Sequence, residues 1–555
     1  MSFFQKKLPA ALGFNSSPVL DRACFAPALT LALAFVVLPL CLLLPFDMDR
    51  ALPLLFVPAV WLSWKITRPA PLWLTGLMLW VLGALALSTA FADYRARALV
   101  MVSAVAWTLA GGMVARNLAS CLPAVRLVLL GVAGGAALGA VLVLNGAGSA
   151  YMDFPLYWGP RIFGMHQFAG ALAAIALFRL GSPKQWVQAA LAALALALLI
   201  GVLTSGSRAA LAGIAVLYVV WFFHGTYADR KFLLTKLSVL LLAAAAASYW
   251  IGQPMPGMGL ATAVERTATA GNLESFSSSR SYFWSVVWHQ TWDAPWLGHG
   301  ADAYQFIRPR LHGAQPHNML LQWLYEYGIF GAVPLTLLVL SASFAPLLRR
   351  GQAAAEGTRS FHAWAAAAVA GGAACGLFDG AFYHQVIFMA LAVFAGFSLG
   401  GPSSLARPVP RFHALLRPVL LMALLAMMLH GWIGYLLMRA QNVTPDSAPA
   451  RILRAFPSTV RGLDLWLRRW ETHHPAEVME WIKWAQENSN EQPEYHLAAL
   501  MIHFRNHDFI AAEKELRACL GKVRDIEVPD IERLLADVEI KAREQAAAQS
   551  AQVAK

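Results

Sequence analysis

Apolar runs of about twenty residues recur down this chain and constrain it more than any other feature, because such a helix crosses a hydrocarbon core roughly 30 Å thick and lipid tolerates only helices and closed barrels. The runs fall near residues 25–46, 52–65, 71–92, 98–115, 124–145, 167–181, 185–204, 209–224, 233–252, 318–347, 362–380, 384–400 and 413–438. They predict about thirteen spans, with edges good to several residues. The chain is 58% hydrophobic and 13% charged, with mean hydropathy +0.54. A soluble domain is about 25% charged, so a water-soluble enzyme is excluded. The expected fold class is all-α: a polytopic helical membrane protein.

Charge divides the chain in two. Residues 1–440 carry 28 Lys and Arg against 13 Asp and Glu, and residues 441–555 carry 15 against 18. The basic excess therefore belongs to the membrane part, where it marks cytoplasmic loops and implies no nucleic-acid partner. With Lys6 and Lys7 inside, every second loop should be basic, and Lys65/Arg68, Arg116/Arg126, Arg179/Lys184, Arg230/Lys231/Lys236, Arg349/Arg350/Arg359 and Arg407/Arg411/Arg417 fall where required. The first run, from about Cys24 to Phe46, is too long for a signal-peptide core and is expected to be a retained span. An odd span count puts residues 441–555 outside the cytoplasm. The five cysteines show no CxxC or Cys/His ligand spacing, so neither a disulfide framework nor a metal site is expected.

Two segments break the membrane pattern. The loop 252–316 holds four tryptophans (Trp284, Trp288, Trp292, Trp296), which argues for order; Ser277, Ser278 and Ser279 can cap an interfacial helix over 281–293. After the last span, helical spacing returns. Tyr495, Ala498 and Phe504, then a turn at Asn506-His507-Asp508, then Ala511, Ala512, Leu516 and Leu520 match one tetratricopeptide unit, and a small helical bundle fits equally well. The predicted domains are a membrane domain, 1–440, and a soluble helical domain, 441–555.

Polar residues at span ends carry the functional reading. Arg208 is squeezed between two runs in Ser205-Gly206-Ser207-Arg208, where it either snorkels to the interface or faces a wet cavity. Arg161 precedes a span on the same outer side. Arg280 precedes the interfacial helix in Arg280-x3-Trp284, ahead of Gly298-x-Gly300. His317 opens a span on which Asn318, Gln322 and Glu326 recur every four residues, a polar stripe with Glu326 about 12 Å below Asn318. Glu326 is either a partner for another helix or exposed to a cavity. Asp379 and His384 sit at the last short outer turn, and a cavity role and a plain exposed turn explain them equally. Three arginines and a histidine at outer ends suit a diphosphate, since guanidinium forks match phosphate oxygens and histidine exchanges a proton near neutral pH.

At these residues the chain resembles the O-antigen ligase superfamily, and within it the bacterial protein O-oligosaccharyltransferases. The matching features are Arg161-x2-Gly164 with Gln167, Ser205-Gly206-Ser207-Arg208, Arg280-x3-Trp284, Gly298-x-Gly300, and His317-Asn318-x3-Gln322-x3-Glu326-x-Gly328-x2-Gly331, spread over roughly residues 70–400. One departure is that Gln167 is followed by Phe168-Ala169 where the family pattern has Gln-x-Asn. The resemblance implies a GT-C-like membrane glycosyltransferase without cofactor in the bacterial inner membrane, working on the periplasmic side. Its donor would be an undecaprenyl-diphosphate oligosaccharide, moved with inversion to Ser or Thr of a periplasmic protein such as a pilin or lipoprotein. His317, Arg280 and Arg208 would be catalytic; Arg161, Gln167, Asn318, Gln322, Glu326 and Trp284 would bind substrate; no metal is expected. Ligation to lipid A-core and glycan polymerisation use the same machinery, and the C-terminal domain favours the protein acceptor. A transporter or flippase is the rival class, kept open by Glu326.

Overall fold

The computed structural model describes residues 18–41, 52–66, 70–92, 95–144, 160–181, 184–252, 259–269, 280–307, 315–348, 356–400, 493–520 and 528–553, with 476, 478–480, 482 and 483. Helix is the only regular structure among them. The membrane part comprises α1 (Pro18–Cys41), α2 (Leu72–Ala90), α3 (Arg95–Leu118), α4 (Leu122–Leu144), α5 (Pro160–Leu180), α6 (Gln185–Thr204), α7 (Arg208–His224), α8 (Ser238–Gly252), α9 (Gly259–Ala268), α10 (Arg280–Thr291), α11 (Met319–Leu348), α12 (Glu356–Phe378) and α13 (Gln385–Leu399). Among the described residues, eight helices are long and apolar enough to cross a membrane. Leu52–Leu62, α7 and α13 are shorter apolar helices. The first helix begins ahead of its apolar run, at Pro18, a residue preset for the first helical turn, and the apolar stretch within it is Ala23–Leu40. The predicted run near 413–438, the serines 277–279, Lys6 and Lys7 lie outside the described residues.

Small residues set how closely the helices approach. Gly131 and Gly135 on α4 lie against the backbone of Ala32 and Phe35 on α1, Gly112 on α3 against the carbonyl of Ala392 on α13, and Gly213 on α7 against Gly371 on α12. Lipid offers no hydrophobic drive for helix pairing, so close backbone contact of this kind does the packing. Around it the aromatic core closes, with Phe397, Phe361, Trp364 and Phe394 joined in a chain of ring contacts.

The bundle has two chemically different ends. At one, fully buried Asp229 accepts from Arg179 Nε (2.8 Å), Ser360 Oγ (2.5 Å) and the Thr226 N–H and hydroxyl (2.8 Å each). Arg126 Nη2 caps the end of α5 through the carbonyls of Leu180 and Gly181. The starts of α5 and α7, the start of α11 and the end of α12 form the opposite end. Arg161 and Arg179 are thus separated by the length of α5, as the alternation of basic loops requires.

The predicted span 318–347 is one run of sequence but two helices. Gly328 (φ 61°, ψ −170°) breaks α11, and the turn after α10 fills the break. His299 and Gly300 donate to the carbonyls of Tyr325 and Glu326 (2.9 Å each), while Ile329 and Phe330 donate to those of Pro295 (2.8 Å) and Trp296 (3.1 Å). Ser88 Oγ on α2 adds a bond to Glu326 O at 2.9 Å. A Cβ on Gly298 or Gly328 would stand 2.5 Å or less from the opposing backbone, so Gly298 and Gly328 are what let the loop dock.

In the C-terminal part, α14 (Pro493–Arg505) and α15 (Phe509–Leu520) form the helix pair expected there, and α16 (Val528–Val553) packs across it. Leu500, Ala512, Leu516, Leu535 and Val538 make their common core. Gln545 Oε1 on α16 accepts the Phe509 and Ile510 N–H groups at the start of α15.

Candidate active site

Pro316 ends the loop and Asn318 starts α11: the Asn318 Oδ1 accepts from Leu320 N (3.0 Å) and Leu321 N (3.1 Å), capping the first turn. Between them His317 is held at φ 54°, a left-handed backbone that costs a non-glycine residue on the order of 1 kcal/mol or more. That backbone brings the imidazole to the turn after α12, where His317 Nδ1 lies 2.8 Å from Asp379 Oδ1. With Nδ1–H donated to the carboxylate, Nε2 carries the lone pair and is the atom left to take a proton. The ring is about one-fifth exposed and the carboxylate nearly buried.

Arg280 and Trp284 sit one turn apart on α10 and therefore share a face. From it, Trp284 Nε1 donates to Pro316 O at 2.8 Å, while Arg280 donates through Nη1 to Phe378 O and pairs through Nη2 with Asp379 Oδ2 at 3.8 Å. The Arg-x3-Trp spacing thus reaches Asp379 and the residue just before His317 at once. Burial pushes the Asp379 carboxyl up, but the His317 hydrogen bond and charge, Arg280 and the Gly380 N–H together hold it well below the usual carboxylate range. Burial lowers the Arg280 guanidinium; Asp379 opposes that, and the positive charges of Arg161 and Arg208 lower it further.

Arg161 and Arg208 are brought to the same end by the contact of their own motifs. A Cβ on Gly164 would lie 2.0 Å from Ser205 Oγ, so the first turn of α5 packs directly on the Ser205-Gly206-Ser207 turn. Gly206 takes φ 67° there, and Ser207 Oγ accepts from Ala210 N at 3.3 Å to start α7 at Arg208. Arg161 is exposed and Arg208 half-buried.

Five of the nine sequence-named residues, His317, Arg280, Arg208, Arg161 and Trp284, gather in this way. Asn318 serves as the helix cap beside them. Gln167, Gln322 and Glu326 point into the bundle instead. Gln167 Nε2 donates to Ala136 O on α4 at 2.9 Å. Gln322 Nε2 donates to Glu326 Oε1 at 3.2 Å, and both line a cavity of about 10 Å³ with Met101, Trp323, Phe382 and Phe388, room for a single water.

Asp379 and His384 are the two residues of the last outer turn whose roles the sequence leaves open. For Asp379 the local signal is an acidic residue at the end of an apolar run, followed by glycine. His384, five residues on, lies with its Nε2 2.9 Å from Gln315 Nε2. Tyr383 donates to buried Asp302 Oδ1 at 3.0 Å, tying the same turn to the loop after α10.

Residues 192–336 match the family model described as O-antigen ligase. The match takes in Arg208, Arg280, Trp284 and the His317–Glu326 segment, a shorter stretch than the roughly 70–400 of the resemblance. No curated protein matches the chain.

Proposed function

We propose, for a chain whose residues 192–336 match the O-antigen ligase family model, transfer of a preassembled oligosaccharide from an undecaprenyl-diphosphate carrier to Ser or Thr of a periplasmic acceptor protein. The family supports ligase- or polymerase-type glycan transfer from a lipid-linked donor in a bilayer. The carrying observation is the His317–Asp379–Arg280 assembly, set at the end of the bundle where Arg161 and Arg208 also lie.

The acceptor hydroxyl oxygen attacks the anomeric carbon from the face opposite the diphosphate. As the new C–O bond forms, the old C–O bond breaks and its electron pair stays on the diphosphate, inverting the configuration. The hydroxyl proton passes to His317 Nε2, and Asp379 stabilises the resulting imidazolium before it returns the proton to water. Arg208 and Arg280, with Arg161 at the rim, meet the charge growing on the leaving group. Three guanidinium groups supply what a divalent cation would otherwise supply, so full activity in excess chelator is expected.

The protein acceptor rests on the C-terminal helices, whose paired-helix surface suits peptide contact. Ligation to lipid A-core is the second reading, favoured by the family match itself. A reconstituted assay with lipid-linked oligosaccharide decides: glycan on Ser or Thr of a pilin or lipoprotein supports the proposal, and glycan on lipid A-core with none on protein reassigns the acceptor.

A further inference from the structure

Each of the four residues that carry the base into place is tied down. Gln315 Nε2 reaches His384 Nε2 (2.9 Å), Pro316 O receives Trp284 (2.8 Å), His317 Nδ1 meets Asp379 (2.8 Å), and Asn318 Oδ1 caps α11. The Gln315–His384 contact joins the same two segments as the His317–Asp379 contact, so the base and its carboxylate are held together twice. An amide nitrogen only donates; His384 Nε2 is therefore the acceptor and the ring carries its proton on Nδ1. Burial favours this neutral form, bringing His384 down to about 4 against the pull of nearby Asp379, with His317 adding to the decrease. The Gln315 amide lies across Gly380, where a Cβ would stand 1.9 Å from both its terminal atoms. The backbone of His384 is fixed as well: its N–H donates to Gly380 O (3.1 Å) and its carbonyl receives Ile387 (3.1 Å) and Phe388 (3.0 Å) at the start of α13.

We propose that His384 is a positioning residue for the transfer: by accepting the Gln315 N–H it holds Gln315, Pro316 and His317 against the Asp379 turn and keeps the left-handed His317 backbone in place. This rests on the transfer reading above. Misplacing a catalytic group by an ångström costs turnover rather than donor affinity.

The test is steady-state transfer in proteoliposomes, with undecaprenyl-diphosphate oligosaccharide and purified pilin, for wild type, His384→Ala, His384→Gln, Gln315→Ala, the His384→Ala/Gln315→Ala double variant and His317→Ala. His384→Ala and Gln315→Ala should each lower kcat roughly 10- to 100-fold and leave donor KM within about twofold. The double variant should be no worse than the worse single, because both remove one contact. His384→Gln, which puts an acceptor oxygen close to the Nε2 position, should recover most of the turnover. Additive losses, a change in donor KM alone, or no rescue by Gln in a variant whose unfolding midpoint matches wild type would overturn the proposal. Wild-type turnover in His384→Ala beside an inactive His317→Ala overturns the positioning role alone; an active His317→Ala overturns the transfer reading and this role with it.

Discussion

At His317 the chain accepts a strained backbone so that one ring nitrogen meets Asp379 and the other stays available. Asp379→Asn keeps the shape but removes the charge that stabilises the imidazolium. It should lower kcat at least about 100-fold with donor KM little changed, read by initial rates over donor concentration. Arg280→Ala removes the clamp on Asp379 together with the proposed diphosphate contact, and a loss of about 100- to 1000-fold is expected. The pH dependence of stability follows from the directions of shift. The folded Asp379 value lies below the unfolded one, so its contribution is present above about pH 4 and is lost only in stronger acid, below the folded value. His384 falls from about 6.5 unfolded to about 4 folded; the unfolded state therefore binds the proton more readily, and stability declines as pH drops from about 6.5 toward 4. Thermal unfolding of His384→Gln over that range should show a shallower slope than wild type. His317, Arg280 and Arg208 stand out in the sequence by their motifs and by their place together at outer span ends. Asp379 does not: its partner lies 62 residues away, and nothing local distinguishes it from an exposed turn residue.

At the scale of elements, the break in α11 decides the geometry. Hydropathy averages over the break, so residues 318–347 read as one continuous span with one polar stripe. The glycines at 298, 300 and 328 were visible as a motif, but not the backbone pairing between the Pro295–Gly300 turn and the two halves of α11, which depends on long-range docking. Gly328→Ala should destabilise the protein by about 3 kcal/mol, since alanine meets both a left-handed backbone and a carbonyl 2.3 Å away. Gly134→Ala, with no atom within 4 Å of its added Cβ, is the control, and should be neutral or stabilising by about 0.5–1 kcal/mol. Unfolding midpoints in detergent distinguish the two. In the sequence the Arg280-x3-Trp284 spacing carries the family resemblance, with Arg280 suited to a diphosphate; that it braces Pro316 and Phe378 is visible only once α10 is seen to lie across the ends of α11 and α12.

For the whole molecule, charge alternation in the sequence predicts a sidedness, and the structure has two distinct ends: Asp229, Arg179 and Ser360 close one and the His317 assembly forms the other. Placing the His317 end in the periplasm predicts that an impermeant maleimide applied to intact cells labels Tyr282→Cys and spares Glu356→Cys, both positions being exposed. Helix packing was not legible, because an apolar face in lipid does not name its neighbour; in the structure, glycines mark where α1 meets α4, α3 meets α13 and α7 meets α12. Deleting residues 441–555 should impair protein glycosylation while leaving donor binding intact; unchanged acceptor use would remove the case for a protein acceptor. The central claim is that His317, oriented by Asp379 beside Arg280, drives glycan transfer off a lipid diphosphate. Its most direct test is a reconstituted reaction comparing wild type with His317→Ala, followed by mass spectrometry of the acceptor. Glycan on Ser or Thr with wild type, and none with His317→Ala at equal folded protein, is the predicted result; equal transfer by His317→Ala would contradict the account.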